Sequence, residues 1–292
     1  MLTLSALILM LLVFATLTVQ FQLRFNTSSE LTNNQTRIRT WWVIYFVCIP
    51  AFYLGSYALT LLAYALIYWA AFEFSRLCDV RINITRVLFL TLGIIVYNII
   101  IDSFINQAHL FFILPMLVLG ISLMFSASVN TRIVVMLVFF ISSILSIQLI
   151  SQMSDKLGYD SGLVLLFLFF ITAANDIFQY LCGKLFGKKQ LSPNLSPNKT
   201  IEGALGGIFI TGLIFAFILP YVISVTWAVA LFIGFFVSVL GISGDLSFSY
   251  FKRLAGAKDS GSSIPGHGGL LDRIDSLTLT APGFGLCLSL VS

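Results

Sequence analysis

The chain has 292 residues, 59% of them hydrophobic and only 10% charged, with a net charge of +4 and a mean hydropathy of +1.01. A soluble domain of this length needs far more charged surface, so the composition excludes one and indicates an all-α, polytopic integral membrane protein. No strand-type alternation supports a β-barrel. Cys48, Cys78, Cys182 and Cys287 are too scattered for a metal or disulfide framework and read as free thiols.

Taken in chain order, nine apolar runs are long enough to span a bilayer: Leu2–Val19, Trp41–Tyr57, Ala58–Phe74, Val87–Ile105, His109–Ser126, Ile133–Met153, Gly162–Leu181, Ala204–Ser224 and Trp227–Ile242. Leu2–Val19 lacks a basic flank and a small-residue cleavage site, so it is expected to be a retained helix. Trp41 to Phe74 is too long for one span, and Pro50 and Gly55-Ser56 offer a break. Leu277–Ser292 forms a tail, read as a tenth, incomplete or interfacial helix. The chain divides into N-terminal transmembrane helices, residues 1–160, and a C-terminal transmembrane catalytic region, residues 161–292.

With Trp41–Phe74 drawn as two helices, the loops 20–40, 75–86, 127–132, 182–203 and 243–276 fall on one side. They hold every one of the 16 lysines and arginines except Lys156. The positive-inside rule then makes that side cytoplasmic and the N-terminus external. The expected location is a bacterial inner (cytoplasmic) membrane.

Two polar segments lie on the cytoplasmic side, separated by two spans. The first, residues 175–207, places Asp176 inside an apolar run, follows with lysines and two Ser-Pro pairs, and enters a helix near Glu202. Such a helix start favours an anion. The second, Ser249 to Asp275, reads SYFKRLAGAKDSGSSIPGHGGLLDRID, with Asp245 just upstream. Charges this close to lipid are costly and mark function. Lys252, Arg253, Lys258 and Arg273 suit phosphate oxygens, and the carboxylates suit a hard divalent ion such as Mg²⁺. The turn at Gly266, His267, Gly268 and Gly269 allows backbone N–H groups to approach an anion. Together they suggest a metal-dependent polyphosphate site at the membrane surface.

The second segment, S-x-x-K-R, K-D, then P-G-H-G-G-x-x-D-R-x-D, resembles the signature of the phosphatidate cytidylyltransferases (CDP-diacylglycerol synthases). The first resembles the same family's D-x-x-x-Y-x-x-G-[RK]-x-F-G and S-P-x-K-T-x-E-G at Asp176, Tyr180, Gly183, Lys184, Phe186, Gly187, Ser196, Pro197, Lys199, Thr200, Glu202 and Gly203. The resemblance covers the C-terminal 40% or so of the chain and implies transfer of a cytidylyl group from CTP to phosphatidate, with Mg²⁺ and room for a second metal ion. It further implies a homodimer; no nucleic-acid partner is expected. Both the residues and the resemblance favour Asp245 and Asp272 as metal ligands. Lys252, Arg253, Lys258 and Arg273 are expected at phosphates, and His267 could serve catalysis, substrate binding or loop shape. Asp176, Ser196, Lys199, Glu202, Asp259, Gly266, Gly268, Gly269 and Asp275 are expected to bind substrate. Blander readings stand beside these: Asp272, Arg273 and Asp275 as an ion-pair cluster at a helix start, Lys258–Asp259 as a local pair, Glu202 as a complement to the helix dipole.

Ile177, Gln179, Ile201 and Phe248 depart from residues common in that family, the last standing where a glutamate is frequent. A related CTP-dependent enzyme acting on another lipid phosphate or alcohol, and a non-enzymatic membrane protein with a decayed nucleotide site, are the competing functions.

Overall fold

The computed structural model describes residues 2–25, 29–78, 91–97, 99–100, 108–124, 129–266 and 268–291. Its helices are α1 (Leu2–Phe25), α2 (Ser29–Leu54), α3 (Ser56–Leu77), α4 (Ala108–Met124), α5 (Val129–Lys156), α6 (Ser161–Phe186), α7 (Ile201–Ile218), α8 (Trp227–Leu254), α9 (Leu271–Ile274) and α10 (Leu277–Val291). Among the described residues the fold is all-α apart from one short hairpin, β1 (Gln190–Ser192) with β2 (Ser196–Thr200), between α6 and α7. Among the described residues, six helical segments are long and apolar enough to cross a membrane, and two shorter apolar helices accompany them. The expected span at 87–105 is described only at 91–97 and 99–100, both helical.

Trp41 to Phe74 does form two helices. Pro50 stays inside α2, and the break falls at Gly55, whose φ of 83° is readily adopted only by glycine. The break reverses the chain. Arg37 Nε, early in α2, donates to the Gly266 carbonyl at 2.9 Å, whereas Glu73, late in α3, accepts from the Leu270 N–H at 2.7 Å. One continuous helix would separate residues 37 and 73 by ~54 Å at ~1.5 Å per residue, but residues 266 and 270 can be only ~14 Å apart. The two helices therefore leave and return to the same end of the molecule.

The centre of the bundle is built from α5, α6, α7, α8 and α10, around Leu149, Leu165, Leu168, Phe215, Val237, Ala281 and Phe284. The tail residues 277–291 thus make a core helix rather than a surface one. A second cluster sits nearer the polar end, where Phe139 and Phe140 of α5 meet Phe248 and Phe251 of α8 and Leu270 and Leu271. Phe248 is fully buried, edge-on to Phe140 at 5.1 Å between ring centres.

Two elements run past their expected ends. The sequence reading stops the last long span at Ile242, but α8 continues to Leu254 because no proline or chain-reversing glycine intervenes. It ends in a Schellman cap: Ala257 N–H bonds the Lys252 carbonyl at 2.9 Å, Gly256 N–H bonds the Arg253 carbonyl at 3.1 Å, and Gly256 takes φ 71°. The Ser-Pro segment, read as a turn, is a hairpin. Ser192-Pro193-Asn194-Leu195 reverses the chain, with Leu195 N–H on the Ser192 carbonyl at 3.3 Å.

Candidate active site

The extension of α8 sets the site. It puts Asp245, Ser249, Lys252 and Arg253 on one rigid helix instead of a loop. Beyond the cap, residues 257–266 and 268–270 fold back over its end, closed by an Ile264–Gly268 bridge in which Ile264 N–H donates to the Gly268 carbonyl at 2.8 Å. Gly266 and Gly268 hold φ of 74° and 85°, which is why the turn is written with glycines.

One carboxylate, from the other half of the chain, holds this loop. Glu73 of α3 is 2% exposed. It accepts from Leu270 N–H at 2.7 Å, Leu271 N–H at 3.3 Å and Ser263 Oγ at 3.2 Å, and lies 2.6 Å from Ser260 Oγ. A Cβ on Gly269 would collide with Glu73 Oε1 and Ser260 Oγ, so glycine is the residue that lets the loop close on this carboxylate. The sequence reading passed over Glu73. The signal was present: it is an acidic residue in the apolar run Ala58–Phe74, and an acidic group at membrane depth is a functional candidate.

Two lysine–aspartate pairs form the polar centre. Lys252 Nζ donates to Asp272 Oδ1 at 2.7 Å, while Asp272 Oδ2 accepts from Ser260 N–H at 2.9 Å. The Ser260 hydroxyl is 2.9 Å from the same oxygen, so its single proton lies between Asp272 and Glu73. Lys252 also stands over the Phe248 ring, 4.8 Å from its centre. The second pair joins Lys199 of β2 to Asp245 of α8. Around it lie Asp176, on α6, within Coulombic range of both Lys199 and Asp245, and Asp275, within range of Asp245, Asp176 and Lys252. Ser276 Oγ donates to Asp176, at 3.1 and 3.2 Å from its two oxygens. Gly244 permits this closeness, because a Cβ there would stand 2.8 Å from the Asp275 carbonyl oxygen.

The hairpin is anchored separately. Thr200 caps α7 by accepting from Gly203 N–H at 3.1 Å, one half of a capping box. Glu202 turns back to accept from Lys188 N–H at 2.9 Å and Lys189 N–H at 3.2 Å, so it orders the approach to β1.

The expected residues therefore separate into groups. Asp176, Lys199, Asp245, Lys252, Asp272 and Asp275 are brought together. Gly266, Gly268 and Gly269 shape the loop beside them. Arg253 bonds the Ala257 carbonyl at 3.1 Å and so secures the helix end, Ser196 opens β2 opposite Ser192, and Lys258 and Asp259 are exposed in the loop. Arg273 is exposed and lines a cavity with residues of α1 and α2. His267 lies outside the described residues.

Asp245 and Asp272 are each engaged by a lysine, and no three acidic, histidine or cysteine side chains close on one point among the described residues. In donor chemistry the cluster is oxygen-only and rich in carboxylates, which fits a hard divalent cation.

The chain as a whole resembles known proteins. The pattern of the cytidylyltransferase family matches residues 35–291. The chain is 46% identical over 123 residues to the uncharacterized protein YnbB of Escherichia coli strain K12, covering 42% of this chain and 41% of that one. It is 42% identical over 151 residues to the phosphatidate cytidylyltransferase of Haemophilus influenzae, covering 50% and 51%, and 42% identical over 125 residues to that of Helicobacter pylori, covering 42% and 47%. The chain thus spans about half the length of the curated relatives it matches. With the family pattern extending across nearly the whole chain, α2 and α3 included, this protein belongs to the cytidylyltransferase family.

Proposed function

We propose that the protein transfers the cytidylyl group of CTP to phosphatidate, giving CDP-diacylglycerol and pyrophosphate on the cytoplasmic face of a bacterial inner membrane. The observation that carries this reading is the Lys199–Asp245 pair, with Ser276 on Asp176 beside it. Two segments about 50 residues apart, each resembling a different part of the family signature, converge there on one polar centre. The lysines of this centre suit phosphate oxygens, and its carboxylates suit a divalent cation held between them and the phosphates.

In this reaction an oxygen of the phosphatidate phosphate attacks the α-phosphorus of CTP. The bond from that phosphorus to the bridging oxygen breaks, and pyrophosphate leaves with the electron pair. A phosphate monoester has a second pKa near ~6, so the nucleophile is already ionised at neutral pH and no general base is required. The work left to the protein is positioning and charge. Lys199 and Lys252 exchange their aspartate partners for phosphate oxygens, and the loop held by Glu73 presents its backbone N–H groups to the leaving pyrophosphate. Asp245 and Asp272, with Asp176 and Asp275 nearby, would hold Mg²⁺, which when bound supplies charge neutralisation to the triphosphate. As in the family it resembles, the working unit is a homodimer.

Purified protein in detergent, given CTP, phosphatidate and Mg²⁺, is expected to release CDP-lipid and pyrophosphate in equal amounts, and Asp272→Ala to release neither. A folded wild-type protein that forms no CDP-lipid would overturn the reading. The orientation has its own test: cysteines placed at Ser192 and Ser262 should label from the cytoplasm alone, and labelling from outside would reverse it.

A further inference from the structure

Val19 of α1, Asn34, Arg37, Ile38 and Trp41 of α2, and Gly266 and Arg273 of the signature segment line an open cavity of about 450 Å³, within the ~300–1,000 Å³ of small-molecule sites. We propose that this cavity is the subsite for the phosphate monoester of the lipid acceptor, with Arg37 and Arg273 as its cationic contacts. The proposal rests on the reading above and extends it to the half of the chain that the signature does not cover.

Three observations converge. First, two guanidiniums from distant parts of the sequence face one space. Planar forks of donors match the terminal oxygens of a monoester, which near neutral pH approaches two negative charges, better than the single charge of a phosphodiester headgroup. Second, the rest of the lining is largely apolar. Val19, Ile38 and Trp41 would leave the hydroxyls and ring nitrogens of a nucleoside unpartnered, but they suit the glycerol and acyl portion of a lipid, and a half-exposed tryptophan is a usual residue at the membrane boundary. Third, the cavity abuts the reaction centre through the chain itself. Arg37 Nε bonds the Gly266 carbonyl at 2.9 Å, Thr40 Oγ1 bonds the Pro265 carbonyl at 2.8 Å, and Arg273 directly follows Asp272. A phosphate held by Arg37 and Arg273 thus lies beside the loop that carries the signature, and Asn34 adds a neutral donor for the glycerol oxygens.

The test uses Trp41 as reporter. Full-length protein in uncharged detergent micelles is titrated with phosphatidate or phosphatidylglycerol, each brominated on the acyl chains, and tryptophan quenching is followed without CTP. Phosphatidate should half-saturate at about a tenfold lower mole fraction than phosphatidylglycerol, the size expected of one charge-assisted contact, and Trp41→Phe should remove this extra quenching. Arg37→Gln keeps a donor for the Gly266 carbonyl but loses the charge. It should shift the phosphatidate curve upward by about tenfold and leave the phosphatidylglycerol curve in place, and Arg37→Lys should recover part of the shift. In turnover, Arg37→Gln should raise KM for phosphatidate and leave KM for CTP unchanged.

Coincident curves for the two lipids, or wild-type quenching by phosphatidate in Arg37→Gln, would overturn the subsite. A rise in both KM values would make Arg37 a loop support and overturn it equally. Selective, Arg37-dependent quenching in a protein that turns over no CTP would support the subsite while overturning the cytidylyl reading. Normal CTP turnover with Arg37-independent quenching would do the reverse.

Discussion

The two lysine–aspartate pairs at the polar end of the bundle have the same chemistry and different surroundings. Asp272, paired with Lys252, is tied into a network of Ser260 and Glu73 that runs through the loop to α3, and its side chain is 12% exposed. Asp245, paired with Lys199, is 21% exposed and has Ser249 as a further partner at 3.3 Å, but two more carboxylates, Asp176 and Asp275, press on it electrostatically. The first pair is a fastening, in which each charge is satisfied by neighbours that also hold the loop. The second crowds three carboxylates around one lysine, an arrangement that wins little stability and so needs another purpose. The difference indicates that the first pair also positions the loop, over and above its proposed contacts with metal and phosphate, whereas the second serves chemistry alone.

The largest effect that sharpens this contrast is expected from Asp245→Asn. Turnover should fall at least ~100-fold, the scale of losing one preorganised electrostatic contact, while the thermal midpoint stays within a few degrees of wild type. A drop in stability matching the loss of activity would make the second pair a fastening too. Next comes Glu73→Ala, which strands the Leu271 N–H group and leaves Leu270 N–H with only Ser263 Oγ at 3.3 Å, at about 1–3 kcal/mol for a buried group left unpaired. Hydrogen exchange at Leu270 and Leu271 should accelerate and turnover should fall, with Glu73→Gln, which keeps an acceptor oxygen, lying between. Unchanged exchange at those two amides would show that Glu73 does not hold the loop. The smallest effect is expected from Glu202→Gln. Its carboxylate is exposed and touches only backbone N–H groups before β1, so KM for CTP should change no more than about threefold, as for a solvent-screened contact. A hundredfold loss would place Glu202 at the substrate.

Most of the helices were legible because apolar length reports a span directly, and the two signature segments were legible because charge beside lipid is conspicuous. Gly55, with Ser56, was readable as the break in Trp41–Phe74, since a chain reversal needs a conformation glycine tolerates. The extent of α8 was not readable, because Asp245 to Leu254 is polar enough to pass for a loop, and only hydrogen bonding to the Gly256 cap shows that it is helix. The role of α2 and α3 was not readable either. Glu73 could have been suspected from its apolar setting, but Arg37 and Thr40 stand in an ordinary polar helix start, and nothing local says that the loop 225 or more residues later folds onto them. Long-range contacts of that kind are set by packing of the whole bundle, which periodicity does not carry. Phe248, singled out in the sequence as a departure from the signature it resembles, proves to be a core residue beneath Lys252, so its side chain fills space instead of joining the carboxylates.

The central claim is that the group moved is the cytidylyl group, and label tracing tests it most directly. Purified protein is given phosphatidate and Mg²⁺ with CTP labelled in parallel at the α- or the γ-phosphorus. The account predicts that α-label enters the lipid fraction and γ-label appears wholly in pyrophosphate, both abolished in Asp245→Asn. Entry of γ-label into lipid would mean phosphoryl transfer, and no label in lipid from a folded protein would mean that the site does not use CTP in this way; either result contradicts the account.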